Sequence, residues 1–250
     1  MLEVNTAENI NKKIMRKIFF LIVLIFFAAS GQGQNPDEVL NKVKENFARI
    51  NDYSVNISVK VDVSFLKVPQ TNATIYFKKP DKIKLYSKDF ALLPKEGLDF
   101  SPMSLLKKKY TAIFDKDTLL NNRKVSVIKV IPLNDESNVV LTTLWIDQEK
   151  NVILRAESAT KINGTFLMEF NYDNSPDDFP LPSSMIFSFN SSGISVPQFP
   201  GDDSQENSNG NENKEERKPE TGKVYVNYYN YKVNKGLPDS IFTSNGIPNK

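Results

Sequence analysis

Tyr53-Ser54-Val55-Asn56-Ile57-Ser58-Val59-Lys60-Val61-Asp62-Val63-Ser64-Phe65 is the stretch that decides how this chain folds. Apolar side chains at every odd position alternate without a break with polar ones at every even position. A period of two places one set on each face of a β-strand, and a strand greasy on one face only is the half-buried strand of an antiparallel sheet. The run is about twice the usual strand of roughly five or six residues. A strand this long belongs to a large curved sheet or barrel.

Working outward, the period changes. Upstream, Asn35-Pro36-Asp37-Glu38 combines an N-cap residue, proline at the first helical position and acids in the first turn, a strong helix start. Val39, Leu40, Val43, Phe47 and Ile50 recur at helical spacing opposite Lys42, Lys44, Glu45 and Arg49, so an amphipathic helix needs a partner surface. Downstream, Ala73, Ile75 and Phe77 alternate as far as Lys79-Pro80-Asp81, a turn or break, and Ile83 and Leu85 resume the pattern. Residues 125–131, 139–146, 152–158, 165–172, 185–189 and 224–233 read as further strands, with Asp147 to Asn151 a tight turn. The total is eight or nine strands. With no helix between most of them, antiparallel pairing is expected.

Two segments interrupt the rhythm. Between Phe90 and Tyr110, Ser101-Pro102-Met103-Ser104 opens a short helix bearing Met103, Leu105 and Leu106. Residues 201–221 lack any large apolar side chain and are rich in Gly, Asn, Ser, Glu and Lys. Such a tract cannot bury enough surface to offset its ordering entropy, so it reads as a disordered acidic loop inserted in a hairpin.

The first 33 residues are not expected to be fold. Met15-Arg16-Lys17 is a positive n-region, Ile18 to Ala29 an apolar run, and Ala29-Ser30-Gly31 or Gly31-Gln32-Gly33 a small-residue cleavage site, the signature of a secretory signal peptide. The apolar run is shorter than the roughly 20 residues needed to span a bilayer, and Met15 is the expected true start. A single domain over 34–250 would remain, exported to the periplasm of a Gram-negative bacterium.

The chain has no cysteine and no histidine. Disulfides, a lipid-modified cysteine, thiol catalysis, His-dependent triads and thiolate or imidazole metal sites are therefore closed off. Of 32 basic and 30 acidic residues, the leader takes four and two, leaving a formally neutral remainder for which nucleic acid is not an expected partner. No phosphate loop, nucleophile elbow or metalloprotease motif occurs. We expect no catalytic residue, metal or cofactor; a Ser-Lys hydrolase is the enzymatic alternative. Asp115-Lys116-Asp117 and Asp202-Asp203 read as solvated turns, lacking the ligand ladder of a calcium loop. Lys107-Lys108-Lys109 reads either as a solvated basic turn or as a contact for anionic headgroups or an acidic partner.

What remains is an apolar and aromatic excess, 17 Phe and nine Tyr. A long sheet with one apolar face, opposed by one long and one short helix, has the parts of a cavity suited to apolar ligands. The segments Pro36 to Val43, Ile50 to Ser54, Tyr76-Phe77-Lys78-Lys79-Pro80-Asp81-Lys82-Ile83-Lys84-Leu85, Trp145-Ile146-Asp147 with Val152 to Ala156, and Tyr231 to Phe242 together resemble the periplasmic lipoprotein carrier family LolA and its lipoprotein-sorting relatives. The resemblance covers most of 36–242 outside the acidic insert. It implies an α+β fold: a curved antiparallel sheet forming an unclosed half β-barrel, its concave face covered by the N-terminal helix and the short mid-chain helix. It also implies a carrier or chaperone that holds the acyl chains of a lipoprotein or similar lipid, meets inner- and outer-membrane machinery transiently, delivers to the outer membrane and works as a soluble monomer. The acyl chains would lie against Val55, Ile57, Val59, Val61, Val63, Phe65, Phe77, Leu85, Met103 and Leu106. Family carriers latch the lid with an arginine before the strand-breaking proline; here that position is Lys79, a point charge instead of a planar fork of donors. Two alternatives stand beside this: a lipid-responsive sensor regulating an envelope-stress pathway, whose known forms carry a further domain while only eight residues follow Phe242 here, and a structural envelope protein.

Overall fold

The computed structural model describes Met15 and residues 34–63, 69–87, 102–106, 109–133, 137–161, 164–176, 179–191 and 220–243. The leader apart from Met15, Phe65, Lys107, Lys108 and 201–219 lie outside the described residues.

Helix α1 (Pro36–Ala48) begins at the expected proline and carries Asp37 and Glu38 in its first turn, where the positive end of the helix dipole favours acids. Its inward stripe buries Leu40 and Val43 and packs Val39 and Phe47 against the same core. Ten strands follow: β1 (Asp52–Val63), β2 (Thr71–Lys78), β3 (Lys82–Tyr86), β4 (Tyr110–Leu120), β5 (Arg123–Pro132), β6 (Val139–Asp147), β7 (Ile153–Thr160), β8 (Thr165–Asn171), β9 (Ser184–Ser191) and β10 (Glu220–Val233). They form one antiparallel sheet in the order β3-β2-β1-β10-β9-β8-β7-β6-β5-β4.

That order is a meander whose two ends pair in the middle, β1 against β10. The break falls between β3 and β4, consecutive in the chain yet at opposite edges of the sheet. A hairpin joining them would close a barrel. The sheet is instead an unclosed half-barrel, and between those two strands in the sequence Pro102–Leu106 forms a short 3-10 helix. Helix α1 covers the inner face between those edges: the Phe47 ring meets Phe77 of β2 at 5.8 Å, and Lys44 Nζ lies 4.8 Å from the Tyr110 ring of β4.

Two expectations need correction. The sheet has ten strands, not eight or nine, because β4 hides in the sequence. Its first half is apolar on both faces (Ala112 and Phe114 inward, Ile113 outward), and its register then shifts between Phe114 and Lys116, so neither period survives. Asp115-Lys116-Asp117 is therefore strand, not turn; Lys129 Nζ donates to Asp115 at 2.9 Å, and Ser126 Oγ and Gln148 Nε2 donate to Asp117 at 2.8 and 2.7 Å. Charges on an edge strand also discourage pairing with another chain. The last two residues of the 201–221 tract, Glu220 and Thr221, pair with Ser191 and Asn190 as the start of β10.

The other edge is covered by the chain's own tail. Buried Asp52 accepts the backbone N–H of Lys235 and Gly236 at 3.0 and 3.1 Å, and Asp239, in a 3-10 turn Asp239–Phe242, forms ion pairs with Lys78 at 2.8 Å and Lys82 at 3.1 Å. No described helix is long and apolar enough to cross a membrane.

Candidate functional site: the inner face of the sheet

Register and period two together define one continuous inner face. Tyr53, Val55 and Ile57 of β1 stand level with Phe77, Ile75 and Ala73 of β2. Across the rest of the sheet one row reads Val61, Val224, Phe187, Met168, Ala156, Leu144, Ile128, Phe114, and the next reads Val63, Gly222, Phe189, Phe166, Ser158, Thr142, Val130, Ala112. The face is apolar except for Thr142 and Ser158, whose buried hydroxyls bond each other at 2.8 Å.

Coverage of this face is uneven. Under α1 it is sealed: Val55, Ile57 and Val59 are 1%, 0% and 2% exposed. Two rows further along, Val61, Val63, Val224, Phe166, Phe187 and Phe189 are only half-buried. The rings there form a tilted cluster, Phe166 to Phe187 at 5.6 Å and Phe187 to Phe189 at 5.7 Å. Gly222 makes the cluster possible: a Cβ at that position would stand 2.3 Å from Phe189 Cζ and 2.6 Å from Val63 Cγ1, so the ring and the valine close over bare backbone.

Of the sequence-predicted residues, Val55, Ile57, Val59, Val61, Val63, Phe77 and Leu85 stand on this face of the sheet, and Met103 and Leu106 on the short 3-10 helix. Val55, Ile57, Val59, Phe77 and Leu106 are buried in a shared core, against which Val61, Leu85 and Met103 are packed half-buried. Val63 stands at the open end beside Gly222, and Phe65 lies outside the described residues. Missed at first were Phe114, Phe166, Phe187 and Phe189, although Phe166-Met168-Phe170 and Met185-Phe187-Phe189 carry the same period-two signal as β1. Lys79 Nζ donates to the carbonyl of Ala48 and, at 3.3 Å, to Asn51 Oδ1. It thus ties the C-terminal end of α1, where unpaired carbonyls favour a cation, to the β2–β3 turn.

Deeper in, burial raises the pKa of the Tyr172 and Tyr231 phenols and keeps them neutral; they donate to the carbonyls of Ile153 and Pro182 at 3.1 and 2.8 Å. A groove of about 590 Å³ that opens to solvent is lined by Asp62, Lys223, Arg155 and Glu157 of the outward-facing register and also by Phe166, Phe189 and Gly222 of the inner row.

No family model matches the sequence, and no curated protein matches it. Solved structures do. A DUF1329 family protein from Desulfovibrio piger aligns with TM-score 0.58 at 11% identity over 84% of this chain and 98% of its own. The chain shares this fold. A LolA superfamily protein from Nitrosomonas europaea superposes with TM-score 0.53 at 10% identity, covering 86% of this chain and all of that one. A domain assigned to outer membrane lipoprotein sorting, from Vibrio parahaemolyticus, gives TM-score 0.51 at 15% identity, covering 84% and 98%. The LolA-like likeness carried by the sequence motifs is thereby matched in three dimensions; at these identities it speaks for the fold.

Proposed function

We propose that this LolA-like chain is a periplasmic carrier that holds the acyl chains of a lipoprotein, or of a similar lipid, against the inner face of its sheet and delivers them toward the outer membrane without any covalent step. The observation that carries this reading is the uneven coverage just described, an apolar face sealed under α1 and half-open at Phe166, Phe187, Phe189, Val61 and Val63. Half-exposed apolar rings converging at the mouth of a cavity-forming fold suit an apolar ligand. The lipoprotein-sorting assignment of the similar Vibrio domain supports the cargo class. Acyl chains enter at the aromatic cluster and extend toward Val59, Ile57, Val55 and Phe77 as α1 and the Pro102–Leu106 turn, with Met103 and Leu106, move aside. Lys79 acts as the latch through its bond to Ala48, one of the ties at the end of α1 beside those from Asn46 to Lys150 and from Asn234 to Arg49.

The test is displacement of a fluorescent fatty-acid probe, with mass spectrometry of lipid that co-purifies from a membrane extract. Phe187→Ser should weaken the probe at least about tenfold with the fold retained by circular dichroism. Absence of probe binding together with absence of co-purifying lipid would refute the carrier reading.

A further inference from the structure

The geometry points to a second, separate surface: the outward face of β4 and β5 docks on an anionic lipid bilayer. Three consecutive cross-strand rungs build it. Leu133 is bonded to Lys109 through its N–H to the lysine carbonyl at 3.0 Å, Ile131 pairs with Thr111, and Lys129 pairs with Ile113. All six lie on the face opposite Ala112, Phe114, Ile128 and Val130, which pack into the core. Each rung therefore presents one large apolar side chain outward, and two of the three add a lysine. The exposure is pronounced: 62% for Leu133, 47% for Ile113 and 37% for Ile131.

A contiguous apolar patch rimmed by polar groups marks a protein or membrane contact. The chemistry here favours the membrane. Lys109 ends a run of three lysines in the sequence, and juxtaposed apolar and basic side chains are what holds a surface at an anionic interface, each lysine adding roughly fivefold in affinity. Pairing with a second copy along this edge is disfavoured by the charges of Asp115, Lys116 and Asp117 midway along β4. Lys129 and Asp115 pair at 2.9 Å and neutralise each other, so the basic character of the patch rests on Lys109 and the lysine run it ends; Asp135 and Glu136 follow Leu133 in the sequence and temper it. Strand β4 is also one lip of the break in the sheet. Its Ala112 stands in the same inner-face row as Phe166 and Phe189, so docking by this face holds the end of the sheet that bears the aromatic mouth near the bilayer, where a carrier would exchange its lipid; that last consequence rests on the carrier reading, the docking itself does not.

Flotation with vesicles of phosphatidylglycerol and phosphatidylcholine, against vesicles of phosphatidylcholine alone, tests it. Binding should be at least tenfold stronger with phosphatidylglycerol and fall with salt. The variant Ile131→Ser/Leu133→Ser should lose at least tenfold and Lys109→Glu about tenfold, both with fatty-acid probe affinity in solution unchanged. Equal binding to both vesicle types, vesicle binding unaffected by these substitutions, or a concentration-dependent dimer that the substitutions abolish would each overturn the proposal. Probe binding lost in the wild type while vesicle binding persists would sink the carrier reading and leave this one standing.

Discussion

Replacing Gly222 by alanine sets two opposite effects against each other. Gly222 is not in the left-handed region, so alanine suffers no backbone strain there, and the loss of unfolded-state freedom alone would stabilise by about 0.4–1 kcal/mol. Against this, the new methyl would stand 2.3 Å from Phe189 Cζ and 2.6 Å from Val63 Cγ1, when carbon pairs prefer about 3.5–4 Å. Both neighbours must retreat by more than an ångström, an overpacking that costs about 1–3 kcal/mol. Since both are half-buried at the open end, they can yield toward solvent, and the cost belongs in the lower half of that range. The net is a destabilisation of about 1 kcal/mol, or about 2–4 °C in Tm for a domain of this size. The displaced ring also deforms the mouth, so probe affinity should drop with it. Shortening the obstructing ring gives the decisive arm: Gly222→Ala with Phe189→Leu should be more stable than the sum of the single changes predicts, the two sites being in contact. Differential scanning fluorimetry on the four proteins of this cycle reads it. A stabilised Gly222→Ala, or strict additivity with Phe189→Leu, would show that the ring does not lie over the glycine.

Asp52→Ala should cost about 1.5–3 kcal/mol, because it removes the buried carboxylate that accepts the backbone N–H groups of Lys235 and Gly236, and amide exchange should quicken there first. Thr142→Val should destabilise by about 1–3 kcal/mol by orphaning the Ser158 hydroxyl, whereas Thr142→Val/Ser158→Ala should come out near wild type in urea unfolding. The hydrogen bonds from Lys78 and Lys82, ahead of their charges, hold the Asp239 pKa below its ordinary value. A depressed carboxylate contributes stability above its unfolded pKa and loses it as pH falls through the folded one, so the Tm gap between wild type and Asp239→Asn should be present near neutrality and vanish in strong acid, and should shrink with salt because the site is exposed.

The fold was legible where one face of an element is wet and the other dry. β1 announces itself through Val55, Ile57 and Val59 against Asn56, Ser58 and Lys60, and α1 through Asn35-Pro36. β4 was not legible, because Ile113 points outward among apolar neighbours and a bulge after Phe114 resets the alternation. The site was half legible. Period two places Val61 and Val63 on the inner face, but which of its rows α1 seals depends on where the helix crosses the sheet, and that crossing is fixed by Phe47 on Phe77 and Lys44 on Tyr110, contacts between residues far apart in sequence. Likewise Gly222 reads as an ordinary strand-weakening glycine until the ring of Phe189 is seen above it.

How long a chain the site should take follows from what it must displace. Helix α1 seals the inner face with two fully buried side chains, Leu40 and Val43, and two half-buried ones, Val39 and Phe47; at about 1.5–3 kcal/mol for each buried side chain and half that for the others, its removal costs roughly 5–9 kcal/mol. None of the strand pairing that joins β1 to β10 at the centre of the sheet depends on it. A buried methylene returns about 0.8 kcal/mol. Chains of fewer than about six carbons therefore cannot offset the helix and should bind only at the aromatic mouth, weakly and with little dependence on length. At a length between about six and eleven carbons the balance turns, and each added methylene should raise affinity about threefold to fourfold, until the sealed rows are filled. Displacement of the fluorescent probe by saturated fatty acids from about four to sixteen carbons, repeated in Lys79→Ala to loosen the end of α1, should show the break and its shift to shorter chains in the variant. A uniform slope from the shortest acid onward, unmoved by the substitution, would mean that the ligand never lifts the helix.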